Sequence, residues 1–540
     1  MAITHAVAVP RSSGVLSAGL ILRKVFSFPA LLGATLAGGA YVVAKSNLPD
    51  PDTWWHLAVG KQILETRSLP SVDPYSFTVS GTHWIAYEWL GEVVMALAGR
   101  LGGLRAPTVL LVALSAALLV LLYSYAWLRS GSFKAAFVAC ALVLPVAAVF
   151  FALRPQLLGF NFLLLTLICL EQFRRGHPRA LWLLPPLFLV WVNTHGTFVF
   201  GLVVVGLAWL SGQVGFDTGG LVAERWTRAQ SRYLLVVMFL CVLVLPLTPY
   251  GTRVAAYPLE MSLAQPTNIA SINEWQPLAF NLFLGKLFLA LLLLFFLVYL
   301  AQRPPLRLAE VGLLLFAAFA ACVHLRFLPI FLAAFTPLLA LLLARWMPGY
   351  KAEKDRPVLN AAFMALIAAS VVFSFPSSRR IENMAAKKYP REAVAYLRAH
   401  PVRGPMLNDY GWGGYLIWAF GPEHKVFIDG RADIYEYAGV LSDYMKITHM
   451  DPEALPLLRK YGIEACLVPR KVPLATLLAA LPDWERIYSD NVASLYVHKR
   501  RHRVSEPFSP SLGATGRSNT TMAPPEYESQ QSGSAVVHNR

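Results

Sequence analysis

At 540 residues the chain is long enough for more than one domain, and at 56% hydrophobic, 14% charged and a mean hydropathy of +0.51 it cannot be an ordinary water-soluble fold. Lipid must cover much of its surface. The formal net charge of +16 does not indicate nucleic acid, because Lys and Arg fall mainly in short loops between apolar runs, where membrane lipids are the expected partners.

Apolar runs of spanning length lie near 26–44, 107–128, 135–153, 156–172, 180–193, 196–212, 233–249, 285–301, 308–323, 327–345 and 358–375. They predict about eleven transmembrane helices over 26–375, a mainly α polytopic bundle. The first run lacks a convincing cleavage site and reads as an anchor. If residues 1–25 are cytoplasmic, the same side receives Arg129 and Lys134, then Arg174, Arg175 and Arg179, then Arg225, Arg228 and Arg232, then Arg303 and Arg307, and finally Arg345, Lys351, Lys354 and Arg356. Every cytoplasmic loop is then basic, as the positive-inside rule requires. The expected location is a cell (cytoplasmic) membrane, with an extracytoplasmic C-terminal domain.

Two outside loops are long, about 45–106 and about 250–284. In the first, residues 53–66 read as an interfacial amphipathic helix with Trp54 and Trp55 as a membrane-surface belt, and 87–101 as a second helix. After Ser374 the composition becomes that of a soluble domain. Helices near 390–400, 415–420, 452–462 and 473–481 alternate with strands near 404–408, 425–428, 464–468, 484–488 and 493–498, which predicts a small α/β domain over 376–500. Residues 501–540 are rich in Ser, Pro, Gly, Thr and Gln and read as a disordered tail, with a chance-level sequon at Asn519. The five cysteines show neither a disulfide framework nor metal-ligand spacing.

With this topology, ionisable groups from separate segments converge on the outer mouth of the bundle. They are Asp50, Asp52, His56 and Glu88 from the first outside loop, and Arg154 at the outer ends of two spans. Asn193 and His195 lie at another outer turn, Glu274 in the second outside loop, and His324 and Arg326 at a third turn. Such residues near a bilayer are functional candidates. Each also has a plain structural reading. Asp50 before Pro51 fits a helix N-cap, Asp52 suits the positive helix end, the histidines can satisfy interhelical bonds, and Arg154 or Arg326 can reach headgroups. Two arginines among otherwise non-basic outer turns point to an anion site.

The motifs resemble the GT-C glycosyltransferase superfamily. Asp50-Pro51-Asp52 occupies the place of its Asp-x-Asp motif, just after the first span. More narrowly, the chain resembles a group of bacterial membrane proteins similar to those enzymes, through Asp52-Thr53-Trp54-Trp55-His56-Leu57, Trp191-Val192-Asn193-Thr194-His195-Gly196, Asp409-Tyr410-Gly411-Trp412-Gly413-Gly414 and Val426-Phe427-Ile428-Asp429-Gly430-Arg431. The resemblance implies transfer of a sugar from a polyprenyl-phosphate donor to an extracytoplasmic glycan, lipid or protein acceptor, with inversion. Asp50, Asp52 and Glu88 would be catalytic, with Asp50 the favoured base. Arg154 and Arg326 would bind the donor phosphate, and His56, Asn193, His195, Glu274 and His324 the substrates. Asp52 would also serve as ligand to a divalent metal, Mg or Mn. Asp409-Tyr410-Gly411-Trp412 is similar to an acceptor-reading motif of oligosaccharyltransferases, but lacks the paired Trp before Asp409; its glycines equally suit a tight turn. The competing reading is a non-catalytic transporter or envelope-assembly protein on the same fold. Polar groups at one face and the lack of an evident repeat favour the enzyme.

Overall fold

The computed structural model describes residues 18–499; the tail beyond 500 and the sequon at Asn519 lie outside them. The chain is a polytopic membrane helical bundle with a small sheet-containing part near its C-terminus. Among the described residues, six helices are long and apolar enough to cross a membrane: Arg105–Ser130, Phe133–Phe150, Pro155–Arg174, Phe283–Gln302, Leu325–Ala344 and Pro357–Ser374. Four shorter apolar helices accompany them, Phe28–Ala44, Pro178–Val192, Phe198–Ser211 and Leu308–Val323. Helix Arg228–Leu243 covers most of the run at 233–249.

Local chemistry sets the ends of these helices. Ser27 and Ser132 cap Phe28–Ala44 and Phe133–Ala147 through their hydroxyls, and Gly131 in the left-handed region closes Arg105–Ser130. Leu325–Ala344 is the central post and is mostly buried, whereas Pro357–Ser374 is peripheral and faces lipid. Alanines 333, 334 and 340 let neighbours approach the post closely, and Phe288 and Phe295 pack on Phe331 and Phe335 with ring centroids 4.6 and 5.5 Å apart. One end of the bundle is tied by Arg307–Glu171 at 2.6 Å and a two-pronged Arg129–Glu310 pair. Beside it lies a small sheet (Phe216–Thr218, Leu221–Ala223, Leu306–Arg307), whose strands of two or three residues are too short to show a pattern in the sequence.

At the other end, the C-terminal part forms a sheet in the order Met406–Asn408, Ala465–Pro469, Ala493–His498, Trp484–Ser489. Its first pair is parallel and the others antiparallel. Two expectations fail here for physical reasons. The stretch 425–428 is no strand of this sheet; Val426 bonds instead to the backbone of Tyr75 and Phe77 in the first loop, at 2.9 and 3.1 Å. The Gly-rich stretch after Asp409 is not a turn. Asp409 caps a helix that starts at Tyr410 and runs to Phe420.

Helix Pro51–Thr66 is likewise not an interfacial helix. Trp54, Trp55, Val59 and Ile63 are buried in a core shared with the C-terminal part, where the Trp54 ring meets Tyr389, Tyr415 and Trp418 at 4.8–5.5 Å. The expected aromatic belt is therefore a domain contact. A second contact is a buried ion cluster. Arg431 makes a fork with Asp429 (2.8 and 2.6 Å) and reaches Asp73 of the first loop at 2.6 Å, while stacking over Trp84.

Candidate active site

The Asp50-Pro51-Asp52 stretch begins a helix in the way its chemistry dictates. Asp50 is extended and its carboxylate accepts the Asp52 amide at 3.1 Å, while Pro51 takes the first helical position, where no N–H is needed. Arg154 stands in extended backbone before Pro155, as a residue preceding proline should. Its guanidinium grips Asp50 with two bonds of 2.7 and 2.9 Å. The remaining nitrogen lies 3.1 Å from Asp52 and 2.5 Å from Glu274, which the short turn Asn273–Trp275 delivers. Three carboxylates thus share one cation.

This unequal sharing separates the two aspartates. Burial works to raise Asp50, but the Arg154 charge and its hydrogen bonds overcome it and hold the carboxyl below its ordinary range. Asp52 receives only one Arg154 contact and a Trp55 indole bond at 3.2 Å. Burial, with repulsion from Asp50 and Glu274, pushes it up to about 7 despite Arg154.

Deeper in, His56 contacts Glu92 through Nδ1 at 3.1 Å and approaches Glu88 at 3.7 Å through Nε2. His195 Nδ1 accepts the Thr197 amide at 3.0 Å, so its proton sits on Nε2, 3.2 Å from the other Glu88 oxygen. Burial is the main cause of the shifts in this group. It pushes Glu88 up to about 8, aided by Asp52 and Asp433, and His195 down to about 3, aided by Arg326 and Arg154. His56 is lowered and Glu92 raised, again chiefly by burial.

A cavity of about 430 Å³ unites these groups. Asp52, His56, Glu88, Arg154, His195, Glu274 and Arg326 all line it, so seven of the ten expected residues converge. Arg326 lies 4.0 Å over the Trp275 ring and, among the described residues, forms no ion pair. Asp50 does not line this cavity; it lines a separate hollow behind the motif. The other two expected substrate ligands are not brought to the cavity. Asn193 accepts from the Trp89 indole at 2.9 Å and donates to Leu189 and Leu247, joining three segments. His324 bonds the Trp275 carbonyl at 2.5 Å and props the ring on which Arg326 rests.

The metal expectation also shifts. Asp52 is occupied by Arg154 and Trp55, whereas His56, Glu88 and Glu92 place one nitrogen and two carboxylate oxygens within 4.8 Å of one another. Glu92 Oε2 is buried and has no hydrogen-bond partner, so this group has donor capacity to spare. Imidazole with carboxylates suits Mn or Zn better than Mg. Glu92 is not among the residues expected from the sequence; its signal there is the four-residue spacing from Glu88, the N-cap of its helix.

The C-terminal part roofs the cavity with Tyr410, Gly430, Arg431 and Asp433. Glycine is required where it meets the motif. A Cβ on Gly430 would collide with Asp52 Oδ1, and one on Gly414 would sit 2.6 Å from the Pro51 carbonyl oxygen. Asp433 bonds Tyr257, and Glu436 caps the Pro266–Ser271 helix through the Thr267 and Asn268 amides at 3.1 and 2.9 Å. The same part thereby holds the loop that carries Glu274.

No protein-family model and no curated protein matches this sequence. Solved structures do. ArnT from Cupriavidus metallidurans bound to undecaprenyl phosphate aligns with a TM-score of 0.50 at 13% identity, over 86% of this chain and 97% of that one. The arabinofuranosyltransferase AftD from Mycobacteria aligns at 0.49 and 15%, over 86% of this chain and 40% of that one. The archaeal oligosaccharyltransferase AglB from Archaeoglobus fulgidus, in complex with an inhibitory peptide and a dolichol-phosphate, aligns at 0.47 and 11%, over 81% and 69%. The chain is thus a polytopic membrane bundle that shares its fold with ArnT over nearly the whole length of that protein.

Proposed function

We propose that the chain is an integral-membrane glycosyltransferase that moves a sugar from a polyprenyl-phosphate donor to an acceptor hydroxyl at the extracytoplasmic face. The observation that carries this reading is that one cavity of sugar size holds both Asp52, raised to about 7, and Arg326, which forms no ion pair among the described residues. The extracytoplasmic placement rests on the basic loops at the opposite end of the bundle.

In this reading Asp52, rather than Asp50, is the base. It takes the proton of the acceptor hydroxyl as that oxygen bonds to the anomeric carbon, and the bond from that carbon to the phosphate oxygen breaks. A single displacement of this kind inverts the anomeric centre. The phosphate leaves as an anion and needs no proton; Arg326, which forms no ion pair among the described residues, supplies the countercharge. Arg154 is already neutralised by three acids, so it is a positioning residue that fixes Asp52, and Asp50 holds Arg154 in place. Glu88 and the neutral imidazoles of His56 and His195 offer donors and acceptors to sugar hydroxyls. A divalent ion held by His56, Glu88 and Glu92 would supply fixed positive charge for a phosphate or sugar oxygen.

Reconstituted protein supplied with polyprenyl-phosphate sugars tests this. Asp52→Asn should lower turnover by about 10²–10⁴-fold at unchanged expression and thermal stability. Wild-type turnover in that variant would overturn the assignment.

A further inference from the structure

Behind the motif lies a hollow of about 350 Å³ that the reaction above does not use. The Asp50-Pro51-Asp52 segment is a partition, since Asp52 lines the larger cavity and Asp50 this one. Its mouth is set by Ser46 and Asn47, which follow helix Phe28–Ala44, and by Val149 and Ala152, which follow helix Phe133–Ala147. Both helices are apolar and membrane-associated, so the mouth lies at the level of lipid headgroups. One side is apolar and outward-facing, with Val149 52% exposed. The other carries Lys387 and Lys388, both exposed and, among the described residues, without an ion pair. The Lys388 ammonium is steered across the hollow by its bond to the Pro49 carbonyl at 2.9 Å, which leaves two of its three donors for a ligand. The one acid in the wall, Asp50, is held by the Arg154 fork and also attracts Lys388, which keeps that ammonium over the hollow.

We propose that this hollow binds the phosphate headgroup of an anionic membrane phospholipid, with Lys387 and Lys388 as its ligands and the Val149 side against its acyl chains. Two cations at headgroup level, beside the outward-facing apolar Val149, suit an amphiphile, whose phosphate meets the lysines while its chains run along the apolar helices. The inference stands apart from the glycosyltransferase reading, because it concerns binding on the far side of the partition and is read without turnover.

The test is native mass spectrometry of the full-length protein titrated with phosphatidylglycerol or phosphatidylcholine. The wild type should prefer phosphatidylglycerol. The double substitution Lys387→Gln, Lys388→Gln should weaken that lipid by about 30-fold, about fivefold per lysine, and leave phosphatidylcholine unchanged. Val149→Trp, which fills the mouth without altering charge, should weaken phosphatidylglycerol as well. Arg486→Gln, on the exposed face of the far edge strand, should keep the wild-type preference. Equal affinity for the two lipids in the wild type would overturn the proposal, as would an unchanged preference in the double variant. Displacement of phosphatidylglycerol by inorganic phosphate at equal concentration would also overturn it, by assigning the site to a soluble anion.

Discussion

The sharing of Arg154 among three acids makes a titration measurable without any substrate. Asp52, pushed up to about 7, should be about 90% protonated at pH 6 and about 10% at pH 8, whereas an ordinary aspartic acid is fully ionised across that range. Infrared titration of the purified full-length protein reads the carboxylic-acid carbonyl band directly. Glu88, pushed up to about 8, contributes an overlapping signal, so the titration is made in a Glu88→Gln background. The band that remains and disappears in Glu88→Gln, Asp52→Asn is that of Asp52. Because Glu274 both repels Asp52 and competes for the same Arg154 nitrogen, Glu274→Gln should strengthen the Arg154–Asp52 contact. The ionised form of Asp52 is then favoured, and its midpoint moves toward acid by on the order of one pH unit. A base must be ionised to act, so the acid limb of the pH–rate profile should move in the same direction. An Asp52 band already lost by pH 5, or a midpoint that rises in Glu274→Gln, would refute the account of the cluster.

Two further outcomes follow from the site. Gly430→Ala places a methyl group against Asp52 Oδ1, so it should cost roughly 1–3 kcal/mol of overpacking and disturb the proposed base; a fall of roughly 1–3 °C in thermal midpoint together with reduced turnover checks this. Wild-type stability with unchanged turnover would contradict the contact. For the metal group, protein dialysed against Mn or Zn and assayed for metal content should retain about one ion, and Glu92→Gln should lower affinity by at least tenfold while the protein stays folded. Equal metal retention in both proteins would remove His56, Glu88 and Glu92 from consideration as a ligand set.

What could be read in the sequence was what depends on near neighbours or on topology. Asp50 before Pro51 predicted a capped helix, and the apolar runs predicted the bundle. The alternation of basic and non-basic turns places Asp52, Glu88, Arg154, His195, Glu274 and Arg326 at one mouth, and the same six line one cavity. What was hidden is non-local. That Arg154 spends its charge on Asp50 depends on a contact 104 residues away, so a phosphate ligand and a tethered cation looked alike in the sequence. Trp54 and Trp55 read as a belt because an exposed aromatic and one buried by a distant domain have the same local pattern. The stretch 425–428 has strand composition but meets the first loop 349 residues earlier at Thr78 instead of a sheet neighbour. Asn193 and His324 have the chemistry of ligands, and only the positions of Trp89 and Trp275 show that their bonds are used inside the scaffold.

The fitting of Gly414 and Gly430 against Pro51 and Asp52 also bears on how the protein is made. The helix that carries Asp52 emerges from the ribosome early, whereas the surface that covers Trp54 and Trp55 comes more than three hundred residues later. At about 5–20 residues per second, that interval is tens of seconds. Throughout it the two indoles lack their cover, and Asp73 lacks Arg431. A chain stopped before residue 409 would keep its spans but leave this helix uncovered, so messages cut short within the C-terminal part should yield protein cleared by membrane proteases rather than a partly active enzyme.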